Sequence, residues 1–351
     1  MFSINFILAY ILIVILCVLS HVFLNWRLEY YDAKVQKNNI YWEKIRERCI
    51  SEKNYNLKSN EIKKLKKPQM LAAFYSVFSD MPKEEFQTIM IANKEKIIYL
   101  SSHYKNTMMK SYFAYVISTF HINTKLQLDE LNNLMVQYLL SHSVYVRENA
   151  LRAIYSFGQV EIIIKAFQTL SQNNINHNEK LLSDGLMTFN GKIDKLSEVL
   201  MENINHFNVC YQVAIINFFS YKEEHRFDSL IVKKLIDNKT DVNVQCCILR
   251  CIGKVKSRDN KNIFLDILRT YKNSDRWQLA AVSANLLTKY SGDVEVAKVL
   301  KDSITSNNWY VRMNSAKTLI QIGVLQEDVQ VILNGDDEYA KNALTYAMSL
   351  C

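Results

Sequence analysis

The side chains best suited to chemistry in this chain are a few histidines, carboxylates and thiols, and their spacing decides what they could do. His177 and Glu179 stand in the His-x-Glu order in which a histidine holds zinc and a glutamate moves protons. No Pro-Cys-x-x-Cys follows, so that chemistry would lack its remaining ligands. Among His21, His103, His121, His142, His177, His206 and His225 there is no His-Glu-x-x-His pair, the spacing that puts two imidazoles on one helix face around zinc. Cys246, Cys247 and Cys251 share one predicted helix, but adjacent helical residues diverge by about 100°. A fourth ligand is also missing, so buried free thiols are expected. The glycines at 158, 185, 191, 253, 292, 323 and 335 are isolated, which leaves no phosphate-cradling loop and no Gly-x-Ser-x-Gly elbow. The sequence therefore predicts no catalytic residue, no cofactor and no metal site.

Composition says what kind of fold carries these residues. Only 7 Gly and 2 Pro occur in 351 residues, too few for the tight turns of an all-β fold, so the chain is predicted to be all-α. Apolar residues reach 49%, enough for a large core, while a mean hydropathy of −0.10 excludes a polytopic membrane protein. The 7 cysteines are odd in number and irregularly spaced, which favours a reducing compartment over a disulfide framework. The formal charge of +8 is uneven, with 12 Lys/Arg against 6 Asp/Glu in residues 1–68 and 31 against 29 in the remainder. A nucleic-acid binder would carry its basic excess along the folded groove, so no nucleic-acid partner is expected.

Residues 4–24 are apolar except for Asn5, Ser20 and His21, and no charged side chain precedes Arg27. At about 1.5 Å per residue this segment reaches ~31 Å, matching a ~30 Å hydrocarbon core. Trp26 and Tyr30 then fall where interfacial aromatics belong. A cleaved signal peptide would need a basic start, a shorter apolar core and small residues at the cleavage site, none of which is clear. Arg27, Lys34, Lys37, Lys44, Arg46 and Arg48 all follow the segment, so a single-pass anchor with the bulk of the chain in the cytoplasm is expected.

Three segments follow from this: a transmembrane anchor over 1–26, a juxtamembrane stalk helix and basic segment over 27–68, and a helical domain over 69–351. In the stalk, Leu28, Tyr31, Val35, Asn38, Trp42, Ile45 and Cys49 recur at a seven-residue period. Such a seam supports either a homodimer through residues 28–49 or packing against the helices that follow. Lys63, Lys64, Lys66 and Lys67 form a basic cluster ahead of Pro68. It reads equally as a solvated helix face or as lipid-facing charge worth about 1 kcal/mol per residue at an anionic surface.

An internal repeat organises the rest. The pairs Val146-Arg147, Asn178-Glu179, Tyr211-Gln212, Val244-Gln245, Trp277-Gln278 and Val311-Arg312 are spaced by 32, 33, 33, 33 and 34 residues. Four and eight residues after each first member stand mainly small or apolar residues, such as Ala150 and Ile154 or Ile248 and Ile252, which marks one face of a helix. A second apolar-periodic segment follows each, for example Ile162–Leu170 and Val294–Ile304, so the unit is a helical hairpin. Asn/Asp-rich stretches such as Asn273-Ser274-Asp275 separate the units and supply helix caps.

Residues 146–158 (VRENALRAIYSFG) and 311–323 (VRMNSAKTLIQIG) share an opening Val-Arg, an aliphatic residue eight later and Gly twelve later. These resemble the first helix of a HEAT repeat, and the likeness extends in degenerate form over about 140–350. The chain thus resembles bacterial membrane-anchored HEAT-repeat proteins, which implies an α-solenoid of helical hairpins behind one transmembrane helix. It also implies that Arg147 and Arg312 serve ladders of hydrogen bonds between units. Trp277 sits at an aliphatic position and is expected in the core, whereas Trp309 and Tyr310, in a turn, are candidate partner-binding residues. The function implied is a membrane-tethered protein-binding scaffold, not an enzyme, with a membrane-associated protein partner and service to an assembly such as envelope polysaccharide synthesis. The alternatives are a lyase or modifying enzyme on the same solenoid, or a nucleic-acid-binding solenoid.

Overall fold

The computed structural model describes residues 4–119, 129–223, 227–324 and 326–350. Among them there is helix and turn but no strand, in keeping with the scarcity of Gly and Pro. The chain divides into two compact units, one of Met1–Leu170 with Thr188–Ile193 and the other of Ser171–Met187 with Asp194–Cys351. His121, His225 and Cys351 lie outside the described residues.

The first unit opens on α1 (Ile4–Ser51), a 48-residue helix that runs unbroken from the apolar segment through the stalk. Its Ala9–Ser51 portion contains a window of mean hydropathy 2.2 that is 0% buried, so by length and composition it can cross a membrane once, a property a signal sequence shares. After it come α2 (Ser59–Lys64), α3 (Pro68–Phe78), α4 (Lys83–Ala92), α5 (Lys94–Ser102), α6 (Thr107–Thr119), α7 (Asp129–Tyr138), α8 (Val144–Phe157) and α9 (Val160–Gln172).

The heptad seam is split between two environments. Trp42, Ile45 and Cys49 are buried, while Leu28 and Tyr31 are exposed. The indole of Trp42 donates to the Met70 carbonyl at 3.0 Å and meets the rings of Phe74 and Phe78 edge-on at 5.1 and 6.2 Å. The distal stalk is therefore packed on α3, which withdraws those three residues from any self-pairing of the stalk. A bidentate pair from Arg48 to Glu61, at 2.8 and 3.1 Å, fastens α2 to the same end of α1.

Burial raises the Glu61 carboxyl, but the Arg48 guanidinium and the Lys58 backbone N–H outweigh it and the net shift is downward. A depressed carboxylate adds stability that is fully present above its unfolded pKa of about 4.3 and is lost as pH falls through the folded value. The denaturant midpoint of the first unit should therefore drop on acidification below about pH 4, and Glu61→Gln should flatten that drop. Parallel pH curves for the two proteins would contradict this.

The second unit contains α10 (Glu179–Met187), α11 (Ile193–Asn203), α12 (Val209–Lys222), α13 (Asp228–Ile236), α14 (Val242–Ile252), α15 (Arg258–Tyr271), α16 (Trp277–Leu286), α17 (Val294–Ser303), α18 (Trp309–Gln321), α19 (Gln326–Leu333) and α20 (Glu338–Ser349). Its first helices pack in chain order, α10 on α12, then α14, α16, α18 and α20. The predicted stripe is the contact face: Tyr211, Ile215 and Phe219 on α12 and Val311, Ser315 and Leu319 on α18 are all at most 1% exposed. On α20, Ala340 and Leu344 continue it, and in the first unit Met109, Phe113 and Ile117 on α6 show the same spacing.

Polar side chains close the turns. Asp241, Asn308 and Asp337 cap α14, α18 and α20 through backbone N–H groups two residues on, at 2.8, 2.9 and 3.0 Å. Gly158 and Gly323, the shared glycines of the two Val-Arg segments, have φ of 71° and 75°, the left-handed conformation that ends a helix without a Cβ penalty.

Candidate functional site

The first helices of the second unit have two faces, one consumed by the stripe and the other lining an open cleft of about 360 Å³. Glu179 begins α10 and forms one wall; Asn217 comes from α12, Asn243, Cys247 and Arg250 from α14, Trp277 and Gln278 from α16, and Tyr310 and Asn314 from α18. Spacings of three and four residues put Asn243, Cys247 and Arg250 on one side of α14 and Tyr310 and Asn314 on one side of α18, while Trp277 and Gln278 are neighbours in the first turn of α16.

The aromatic wall is ordered by stacking. Trp277 and Tyr310 lie face to face with centroids 4.9 Å apart and planes within 7°, and Trp309 meets Tyr310 edge-on at 5.0 Å. Trp309 and Tyr310 are 58% and 53% exposed, and the Asn308 cap holds both in the first turn of α18. Trp277 corrects the core expectation, because it is half-buried and faces the cleft. The cause is register. Arg276 stays in the turn, donating to the Thr240 carbonyl at 2.6 Å, so Trp277 is the first residue of its helix and the buried stripe runs through Leu279, Ser283 and Leu287.

The polar wall is made of carboxamides. Asn217 Oδ1 accepts from the Cys247 thiol at 3.2 Å, which leaves its N–H₂ to donate elsewhere. Gln278 Oε1 is buried with no hydrogen-bond partner, and a buried acceptor left unpaired costs about 1–3 kcal/mol. The ionisable lining is Glu179, Arg250, Tyr310, Cys246 and Cys247. Burial pushes the Cys247 thiol up to about 12 and raises Cys246 and Cys251, so these cysteines are protonated and poor nucleophiles. Burial also raises Glu179, against the attraction of Arg250. Among the described residues no His, Cys, Asp and Glu group gathers as a metal site, and His177, buried beside the start of α10, sits in the turn before Glu179. A stacked aromatic plate in an open cleft can recognise a polypeptide by taking apolar side chains on its rings.

Arg147 and Arg312, expected in ladders between units, bond carbonyls close before their own helices, as Gln212 and Gln245 do. Each is the fourth residue of its helix and donates to a carbonyl before the helix: Ser141 at 2.7 Å, Ser306 at 3.0 Å, Phe207 at 2.8 Å and Leu235 at 2.6 Å respectively. Sequence reasoning missed the bonds between successive turns, such as Asn208 Nδ2 to the Ser171 carbonyl at 3.1 Å and the Asn307 N–H to Asn273 Oδ1 at 2.9 Å. The recurrent Asn at unit boundaries was the available signal.

In the first unit Lys63, Lys66 and Lys67 are exposed, while Lys64 sits 3.6 Å over the Tyr41 ring. Tyr41 lies 17 residues past Leu24. With α1 along the bilayer normal that is ~25 Å of helix, against a Debye length of about 8 Å, so lipid attraction at these lysines would need a tilted α1. The sequence matches no known family model and no curated protein.

Proposed function

We propose that the chain is a membrane-tethered protein-binding scaffold, in which a HEAT-like helical repeat domain faces the cytoplasm and binds without turnover. The chain-ordered packing of first helices and the buried stripe support a solenoid built from stacked hairpins. The basic residues that follow the span support the cytoplasmic side. The likeness to bacterial membrane-anchored HEAT-repeat proteins points to a membrane assembly of the kind that makes envelope polysaccharide.

The observation that carries the binding function is the second unit's open cleft, walled by the stacked Trp277–Tyr310 pair with Trp309 exposed beside it. An extended partner segment would lay apolar side chains over the rings. The test is a photoreactive residue at Asn314, in the cleft, in the full-length chain, with one at Val294, on the second helix of a hairpin and 82% exposed, as control. A protein adduct should form from position 314 and not from 294, and Tyr310→Ala should suppress it several-fold. Equal adducts at both positions, or indifference to Tyr310→Ala, would refute the cleft as the binding site.

A further inference from the structure

We infer that the first unit carries a docking site of its own, a groove between α2 and α5 that takes an acidic segment of a protein partner, anchored by an apolar side chain. The site does not depend on the second unit's cleft, and it gives a use to lysines that the fold leaves without partners.

Two clamps build the groove. Asn93, buried between α4 and α5, accepts from the Leu57 N–H at 2.8 Å through its side chain and donates to the Tyr55 and Ile89 carbonyls at 2.9 and 2.7 Å. Just past α5, the Tyr104 hydroxyl donates to the Leu65 carbonyl at 3.1 Å. One clamp holds the chain entering α2 and the other the chain leaving it, and α2 packs on α5 between them. The 6 residues of α2 could not hold this geometry alone, since isolated helices shorter than ~12 residues are marginal. A site fixed before binding loses little conformational freedom when it is filled.

The groove is open, with a volume of about 330 Å³, and is lined by Ile62, Lys63 and Lys66 on one side and by Lys96, Tyr99 and Leu100 of α5 on the other. Ile62 and Leu100 are buried, so the apolar surface on offer is the Tyr99 ring, 69% exposed, and the methylene stems of the lysines. Tyr99 is held by His103, whose ring lies 4.4 Å from its own and whose Nδ1 donates to the Tyr99 carbonyl at 2.7 Å. Charge decides the occupant. Glu61, the carboxylate of α2, is already taken by Arg48. Among the described residues the ammonium groups of Lys63, Lys66 and Lys96 make no ion pair or hydrogen bond. The lining therefore sets these three free cations against one carboxylate, Glu95.

An acidic segment answers both features: its carboxylates meet the lysines while one aromatic or aliphatic side chain lies on Tyr99. The volume is at the small end of the range for ligand pockets, roughly 300–1,000 Å³, which suits an anchor side chain better than a whole acyl chain. A headgroup layer is the weaker occupant. Lys64 sits on Tyr41, ~25 Å past Leu24 on a helix along the bilayer normal, against a Debye length of about 8 Å. Exposed charges contribute little each, so the binding is expected to be modest and salt-sensitive.

The test follows the fluorescence anisotropy of a short labelled peptide, two phenylalanines set among aspartates and glutamates, against the full-length chain in phosphatidylcholine nanodiscs. Saturable binding that weakens with added salt is expected. Lys63→Glu combined with Lys96→Glu should weaken it at least about tenfold, and Tyr99→Ser, or alanine in place of the peptide's phenylalanines, several-fold. All three substituted side chains are exposed, which protects the fold. Lys233→Glu combined with Lys239→Glu, exposed in the second unit, makes the same change in net charge and should leave the affinity within about twofold. Failure to saturate below about 1 mM, or an equal loss in both charge-reversed pairs, would overturn the groove as a site. Tyr310→Ala should have no effect; a loss there would overturn the groove by moving the peptide to the cleft. Exchanging half of the lipid for phosphatidylglycerol should leave the affinity unchanged. Displacement of the peptide by that exchange would overturn the acidic segment as occupant, in favour of lipid headgroups.

Discussion

Ile248→Asp is expected to remove the cooperative melting of the second unit. Ile248 is 0% exposed at the centre of α14, which packs between α12 and α16, so the new carboxylate would be buried between helices without a cation. An unpaired buried charge is among the few mechanisms that cost more than about 4 kcal/mol. At roughly 2–4 °C per kcal/mol for a unit of this size, the loss is ~10 °C or more in melting temperature. Ile248→Val removes only one methyl group and should cost about 1 kcal/mol, which separates the buried charge from any intolerance of the position. Circular dichroism melts of the full-length chain in detergent would read both. An Ile248→Asp melt within error of the parent would show that the stripe is not a core.

Trp42→Ala is the corresponding change in the first unit. The side chain is fully buried, its indole bonds the Met70 carbonyl and its ring meets Phe74 and Phe78, so truncation leaves a large cavity where α1 joins α3. The expected cost is about 3–5 kcal/mol. Trp42→Phe keeps much of the volume and loses mainly the hydrogen bond, for a loss of about 1–2 kcal/mol. The loosening should appear first as faster hydrogen exchange in α1 from Tyr41 to Cys49 and across α3. If α1 instead stands off as an independent stalk, Trp42→Ala will leave exchange in α3 unchanged.

The parts of this structure visible in the sequence are those written along one helix. A spacing near 33 residues, with small or apolar residues at fixed offsets, located Ile215, Ile248, Val311 and Leu319 at the helix contacts because a buried stripe must recur every turn. Trp277 obeyed the same spacing yet faces the cleft, since Arg276 is held in the preceding turn and the helix register shifts by two residues. The cleft was only half legible. Exposed Trp309 and Tyr310 stood out, but their stacking partner on α16 and the Gln278 carboxamide come from another hairpin. The ring contacts of Tyr75 with Tyr112 and Tyr115 left no signal of their own, because these residues share no period and meet through the packing of α3 and α6. The lysines at 63–67 were conspicuous as a cluster, yet α1 carries them far along its length from the apolar segment.

The central claim is that the tether and the cleft act together on a protein partner. The most direct measurement is the photo-adduct from position 314, quantified in cells for the full-length chain and for a chain lacking residues 1–26 at matched expression. Confinement beside the bilayer raises the effective concentration of a membrane-associated partner, so the account predicts a loss of at least about tenfold on removing the anchor. Binding of the same partner segment in solution should be unchanged. An adduct that persists at full strength without residues 1–26 would contradict the tethered scaffold.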